Sequence, residues 1–142
     1  MNKSAGLELA AIEVEAAGLL ADFVCNFNLD DVPAAVIARA KLSILDAFGI
    51  GLASSQYAFA KTTAAALFEL GGLGKFPVIG SDLRLPQRDA AHLNGTLIHG
   101  LDFDDTHSEA VVHTSASAVP TMLIAGLANG CSGRAALSAF II

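Results

Sequence analysis

Apolar residues recur along most of this chain at intervals of three and four positions, the spacing that places side chains on one face of an α-helix. One stretch, residues 73–86, departs from this spacing, and its two short extended pieces flank a Ser-Asp turn. We therefore predict an all-α, bundle-like fold with a short irregular extended segment near residues 73–86. The predicted helices cover residues 8–26, 33–53, 59–70, from 87 onward, 117–129 and from 132 or 133 onward.

The second predicted helix indicates how these segments pack. Gly49 and Gly51 lie inside its apolar pattern although glycine weakens a helix, so we attribute them to close packing against a neighbouring helix. The residues expected to face inward are Val36, Ile37, Ala40, Ile44, Leu45 and Phe48.

The composition is more apolar than that of a typical soluble domain, with 54% hydrophobic residues, 15% charged residues and a mean hydropathy of +0.57. Such a chain is either a membrane protein or a piece of a larger protein. The longest stretch without Asp, Glu, Lys or Arg, residues 110–133, contains His113, Pro120 and Asn129 and is a poor bilayer segment. Glutamates interrupt the first apolar region, unlike a signal peptide. We therefore expect a soluble, cytoplasmic chain without a membrane partner.

Charge and cysteine content exclude further classes of protein. The formal net charge is −6 and the 8 basic residues are scattered singly, so the chain lacks the basic face that nucleic-acid binding requires. Cys25 and Cys131 lie in apolar helical contexts without metal-type spacing, and we expect both to be buried free thiols.

The last predicted helix has no recognisable end. Ala135–Ile142 is apolar and contains no glycine, asparagine or basic residue that would close a helix. Together with the apolar composition, this predicts that the chain is truncated and that further chain, or another copy of the chain, covers its apolar surface.

Residues 92–113 hold most of the side chains that could do chemistry, including all four histidines and three closely spaced aspartates. If the fourth helix continues to Thr106, the three- and four-residue spacing places a polar stripe beside an apolar one. The positions on that stripe are His92, Gly95, His99, Asp102 and Thr106. A helix of this kind would form a wall between the core and a pocket.

These side chains differ in how strongly they indicate function. We expect His92 to be a core or surface residue and Asp104 to be a solvated or helix-capping carboxylate, whereas His99 fits a structural and a functional role equally well. Neighbouring carboxylates and imidazoles supply the proton donors and acceptors of acid–base catalysis. The residues that favour this chemistry are Asp102, Thr106, His107 and His113.

The start of the fifth predicted helix adds a second element. Thr114, Ser115 and Ser117 lie where backbone N–H groups and hydroxyls are free, and such a terminus favours the binding of a substrate carboxylate.

Two short motifs in this region match a known signature. Asp102-Phe-Asp-Asp-Thr106-His107, followed by Val112-His113-Thr-Ser-Ala116, resembles the signature of the MmgE/PrpD family. Segments 37–53, 78–80 and 91–95 are also similar to that family's pattern, and the resemblance extends from about residue 18 to the last residue. The family includes 2-methylcitrate dehydratase, cis-aconitate decarboxylase and an iminodisuccinate epimerase.

The resemblance implies that residues 1–142 are the N-terminal portion of a larger all-helical domain. In full-length members a mixed α/β lid domain follows and supplies lysines and another histidine to the site. The implied activity is that of a lyase that needs no cofactor and no metal, acts on small di- or tricarboxylic acids and assembles as a homodimer.

The resemblance also implies roles for individual residues. His113 would contact the substrate or transfer protons, and Thr106 would hydrogen-bond the substrate. Asp102 would orient a histidine or lysine, because a bare carboxylate facing an anionic substrate would be repelled. These three are the expected catalytic residues, and the expected substrate-binding residues are His107, Thr114 and Ser115. Thr114 stands where many members have proline, which loosens the expected start of the fifth helix.

Two other functions remain open from the residues alone. The first is a metal enzyme, because an Asp-rich helical motif can hold Mg²⁺ or a similar ion. Its ligands would be Asp102, Asp105, His107 and His113. The second is a truncated product that folds or associates without catalysing a reaction.

Overall fold

A computed structural model describes the backbone of residues 3–142 and the side chains of residues 15–142. Within that part of the chain the fold is all-α apart from one small hairpin, as predicted. The elements are α1 Lys3–Asn26, a 3₁₀-helix Leu29–Asp31, α2 Ala34–Ser54, α3 Ala58–Gly71, β1 Phe76–Val78, β2 Ser81–Leu85, α4 Gln87–His99, α5 Thr114–Asn129 and α6 Gly133–Ile141. Residues up to Val32 form one compact unit and Pro33–Ile141 form another.

The first unit consists of α1 and the 3₁₀-helix. The turn between them is capped by Asn28, whose side-chain oxygen accepts a hydrogen bond of 3.2 Å from the backbone N–H of Asp30. Cys25 lies near the end of α1 and is exposed.

The second unit is built around α4, which packs against α2, α3, α5 and the hairpin. Leu93, Leu97 and Ile98 of α4 are almost completely buried, in the spacing that places them on one face of the helix. They meet Val119 and Ile124 of α5 in a single apolar core. Burial of each such side chain stabilises the fold by roughly 1.5–3 kcal/mol, so α4 is held firmly where it borders the loop that follows.

The predicted extended segment is an antiparallel hairpin of β1 and β2, with Phe76 opposite Leu85 and an irregular register after Pro77. The buried Asn94 of α4 ties this hairpin to the core. Its Oδ1 accepts a hydrogen bond of 2.8 Å from the N–H of Ile79, and its Nδ2 donates one of 3.0 Å to the carbonyl of Pro77. Both polar ends of the buried amide are therefore satisfied.

The packing of α2 was predicted only in part. A Cβ on Gly51 would lie 3.1 Å from Ile79, as expected for close packing, whereas a Cβ on Gly49 would meet nothing within 4 Å. The buried stripe includes Ala40 and Ala47, and Leu45 lies about 140° around the helix from Ala40. The prediction that Leu45 and Val36 face inward is therefore wrong: they are 68% and 44% exposed. Val36 does lie near the buried stripe, but it is exposed because it belongs to the first turn of the helix.

The fourth helix ends at His99 and does not continue to Thr106. Asp102 has φ = 55°, a left-handed conformation that cannot extend an α-helix and that aspartate adopts more readily than most residues. The chain then runs as an irregular loop to His113, with an isolated bridge between His107 and Val112. The fifth helix begins at Thr114, three residues earlier than predicted.

The exposure of the two cysteines differs from the prediction. Cys131 is exposed, as is Cys25, so the prediction of buried thiols is wrong. Cys131 follows Gly130, whose left-handed conformation (φ = 63°) ends α5, and an apolar sequence context did not reveal that this turn is uncovered. None of the helices in the described part of the chain is both long enough and apolar enough to cross a membrane.

Candidate active site

The loop between α4 and α5 brings four potential acid–base groups together. His99 ends α4, Asp102 and Asp104 lie on the loop, and His113 immediately precedes α5. One nitrogen or carboxylate oxygen from each of these four side chains lies within 4.8 Å of the others. The ends of two packed helices and the connecting loop thus form one polar cluster.

Asp104 lies at the centre of this cluster, and the prediction that it is a solvated or capping carboxylate is wrong. The residue is only 5% exposed. Its Oδ1 lies 3.1 Å from Nδ1 of His99 and 3.3 Å from Nδ1 of His113, and its Oδ2 lies 3.3 Å from Nδ1 of His99. The irregular path of the loop, which a continuous helix would not allow, turns this carboxylate inward.

The three predicted catalytic residues also meet here. Asp102 Oδ1 lies 3.7 Å from Nε2 of His113, and the hydroxyl oxygen of Thr106 lies 3.5 Å from Nδ1 of the same ring. The Thr106 hydroxyl also lies 3.5 Å from the backbone carbonyl of Asp104. The Asp102 side chain is 81% exposed. His113 is therefore flanked by Asp102 on one ring nitrogen and by Asp104 and Thr106 on the other.

The two histidines of the cluster are in contact with each other. The ring centroids of His99 and His113 are 4.8 Å apart, with an angle of 64° between the ring planes. The sequence left the role of His99 open, and the structure places it in the cluster. His92, in contrast, is exposed and lies outside the cluster, in agreement with the structural role expected for it.

The three predicted substrate-binding residues are not members of this cluster. His107 accepts a hydrogen bond of 3.1 Å at Nδ1 from the N–H of Ala110, so it closes the loop onto itself. Ser115 is buried, and its N–H donates to Asp105 Oδ1 at 3.0 Å. Thr114 is exposed at the first position of α5. One of the N–H groups expected to be free for a substrate is therefore already occupied by Asp105.

An open cleft of about 570 Å³ borders the two histidines. Its lining residues are Gly95, Thr96, His99, Val112, His113, Ala116 and Ser117. A Cβ on Gly95 would lie 3.0 Å from the carbonyl oxygen of Ala116, so glycine allows α4 and α5 to approach closely at the base of the cleft. The volume suits a small organic acid. None of the lining residues that the structure describes is lysine or arginine.

The ligands proposed for a metal ion are only partly brought together. Asp105 is bonded to the start of α5 and His107 to its own loop, which leaves Asp102 and His113 from the proposed set. Asp102 lies near Nε2 of His113, and Asp104, which was not in the proposed set, lies near Nδ1 of the same ring. The side chains that lie close enough to one another to hold a divalent ion are His99, Asp102, Asp104 and His113, so His99 and Asp104 stand in place of the proposed Asp105 and His107.

The sequence matches one family over most of its length. Residues 18–142 match the profile of the MmgE/PrpD N-terminal domain. A cis-aconitate decarboxylase-like protein of Aspergillus oryzae is 33% identical over 106 residues, which are 75% of this chain and 22% of that protein. Cis-aconitate decarboxylase of Aspergillus terreus is 30% identical over 100 residues (70% of this chain, 20% of that protein).

Cis-aconitate decarboxylase of Mus musculus is also 30% identical, over 103 residues that are 72% of this chain and 21% of that protein. The chain thus spans about a fifth of the length of these curated relatives. No solved structure matches it. The profile match covers more than half of the chain and includes the whole His99–His113 cluster, and the chain therefore belongs to the MmgE/PrpD family.

Proposed function

We propose that this chain supplies one wall of the active site of a lyase that acts on small di- or tricarboxylic acids without a cofactor. The reaction is decarboxylation of an acid of the cis-aconitate type or dehydration of one of the 2-methylcitrate type. The observation that carries the proposal is the placement of His113, which borders an open cleft and is flanked by carboxylates on both ring nitrogens. The names of the relatives support the same chemistry.

His113 acts in this proposal as the acid–base residue. Both reactions require transfer of a proton at a carbon next to a carboxylate, and an imidazole at the cleft wall suits that task. Asp102, 3.7 Å from Nε2, would orient the ring and stabilise its protonated form. Thr106 would hold the ring from the Nδ1 side and hydrogen-bond the substrate. His107, Thr114 and Ser115 would shape the edge of the site, with the buried Ser115 fixing the start of α5 rather than contacting substrate.

An anionic substrate needs cationic partners, and the described residues that line the cleft include no lysine or arginine. The formal net charge of the chain is −6. A di- or tricarboxylate would be repelled by Asp102 unless positive groups balanced it. We therefore propose that residues outside these 142 complete the site. From the family resemblance we also propose that the protein is a cytoplasmic homodimer assembled through its helical domain.

The test is a direct assay on the product of the complete reading frame that contains these residues. The purified protein is incubated with cis-aconitate and with 2-methylcitrate, and both reactions are followed by proton NMR, with carbon dioxide release measured in parallel. We expect turnover of one of the two acids. A folded, monodisperse protein that converts neither acid contradicts the proposed substrate class.

A further inference from the structure

The carboxylate of Asp104 is buried and surrounded by imidazole rings. Nδ1 of His99 lies 3.1 Å and 3.3 Å from its two oxygens, and Nδ1 of His113 lies 3.3 Å from Oδ1. Among the described residues no lysine or arginine lies within ion-pair distance of it. A buried carboxylate is costly unless hydrogen-bond donors or positive charges compensate it. The two histidines are the groups that provide this compensation.

This contact determines which nitrogen of His99 carries the hydrogen. An ionised carboxylate accepts hydrogen bonds and does not donate them, so an ionised Asp104 requires the hydrogen on Nδ1 of His99. The neutral ring then has its lone pair on Nε2, because the tautomer of a histidine is set by the bond that its other nitrogen makes. Nε2 of His99 has no hydrogen-bond partner among the residues that the structure describes.

His99 is placed to reach the same substrate as His113. Its side chain is 52% exposed, it lines the cleft together with His113, and the two ring centroids are 4.8 Å apart. A small acid bound in the cleft would therefore contact two imidazole rings, and the carboxylate of Asp104 contacts both of these rings. A lyase needs a group that removes a proton and a group that donates one, and two such rings can divide these tasks.

We propose that Asp104 is a positioning residue that holds His99 in its Nδ1–H form, and that Nε2 of His99 is a second acid–base group beside His113. This inference rests on the proposed function. In a dehydration, one ring removes the proton from the carbon next to the carboxylate, and the electron pair left on that carbon forms the carbon–carbon double bond as the carbon–oxygen bond of the neighbouring carbon breaks. The leaving hydroxyl takes a proton from the other ring to become water. In a decarboxylation, the bond to the departing carbon dioxide breaks and a protonated ring delivers a proton to the carbon that retains the electron pair.

The tautomer of His99 can be tested without any substrate. The product of the complete reading frame is labelled with [¹⁵N]histidine, and long-range ¹H–¹⁵N spectra are recorded above pH 8, with the His99 signals assigned by their absence in a His99→Gln variant. We expect a protonated Nδ1 and an unprotonated Nε2. An Nε2–H ring, or rapid averaging between the two forms, overturns the positioning role of Asp104. The wild-type spectrum decides this even if Asp104 variants do not fold.

Kinetics test the catalytic part of the inference. We expect His99→Gln and Asp104→Asn to lower kcat by at least about tenfold, with KM changed less than about threefold, and His92→Gln to change neither. A kcat for His99→Gln within about threefold of wild type overturns the role of His99 as a second acid–base group. A protein that converts neither acid contradicts the proposed substrate class, while the ¹⁵N spectrum still decides the positioning of His99.

Discussion

Asp105 caps the N-terminus of α5 from the preceding loop, since its Oδ1 accepts a hydrogen bond of 3.0 Å from the backbone N–H of Ser115. The two residues are ten positions apart in sequence, so this bond fixes the loop that carries Asp102 and Asp104 against the helix that follows His113. A carboxylate at this position also interacts favourably with the positive end of the helix.

We therefore expect Asp105→Ala to destabilise the protein by about 1 kcal/mol, the usual contribution of a helix cap. Asp105→Asn keeps a side-chain oxygen that can accept the same hydrogen bond. The asparagine variant should therefore be destabilised by only a fraction of the roughly 1 kcal/mol expected for alanine. The measurement is the apparent midpoint of thermal unfolding at one fixed protein concentration. An alanine variant as stable as wild type would mean that the cap contributes nothing.

A second prediction concerns two residues of the family motif, His113 and Asp102, that the structure places in the polar cluster. His113→Ala and Asp102→Asn should each lower kcat of the complete protein by about two or more powers of ten, as expected for an acid–base residue and the group that orients it. His92→Ala is the matched control, because His92 is a histidine of α4 that is exposed and outside the cluster. Equal, small effects from all three in folded proteins would indicate that the cluster is structural.

The sequence predicted which residues lie near His113 more accurately than it predicted the backbone that brings them there. Helical spacing placed His99, Asp102 and Thr106 on one stripe, and all three do lie near His113, but through an irregular loop rather than a longer helix. The left-handed backbone of Asp102 (φ = 55°) is the physical reason. A pattern of residue types does not reveal which single residue adopts this conformation, because it is uncommon for every residue other than glycine, even though aspartate is enriched there.

The burial of Asp104 could not be predicted for a related reason. Three aspartates lie within four positions, and which one turns inward depends on the path of the loop and on where α5 begins. The structure assigns them three different environments: Asp102 is exposed, Asp104 is buried against two imidazoles, and Asp105 caps α5. Residue type alone could not distinguish them, whereas α2 and α3, which rest on long apolar patterns, begin and end within about one residue of the predicted positions.

A third prediction concerns the need for a metal ion. We expect the activity of the complete protein to survive exhaustive dialysis against EDTA, because the acid–base groups at the cleft can move protons without a metal. His99, Asp102, Asp104 and His113 are nevertheless close enough to hold an ion, so the experiment has a real alternative outcome. Loss of turnover that Mg²⁺, Mn²⁺ or Zn²⁺ restores would favour a metal enzyme.

The fourth prediction compares the two glycines of α2, which differ in the space around them. Gly49→Ala adds a methyl group where nothing lies within 4 Å and should stabilise the helix by about 0.5–1 kcal/mol. Gly51→Val adds three carbons where Ile79 lies 3.1 Å from the first, and should destabilise the fold by about 1–3 kcal/mol. Unfolding midpoints of both variants measure the difference. Equal shifts would contradict the close packing of Gly51.

The last prediction concerns the 142-residue chain by itself. On α2, Leu42, Leu45 and Leu52 are each more than half exposed, and they lie within an arc of about 80° on the helix surface. Apolar side chains grouped in this way usually mark an interface or favour aggregation. We expect the isolated chain to be oligomeric, aggregated or molten, and to convert neither cis-aconitate nor 2-methylcitrate, because none of the described residues that line its cleft is lysine or arginine.

Sedimentation and ANS fluorescence at micromolar concentration measure this directly, and a triple variant with Leu42, Leu45 and Leu52 changed to glutamine provides the comparison. If the α2 surface drives association, the triple variant should sediment as a smaller species and bind less ANS than the wild-type chain. A wild-type chain that is a monodisperse monomer and does not bind ANS would show that this surface needs no partner. Turnover by that monomer would show that the acidic half of the site works without cations from elsewhere.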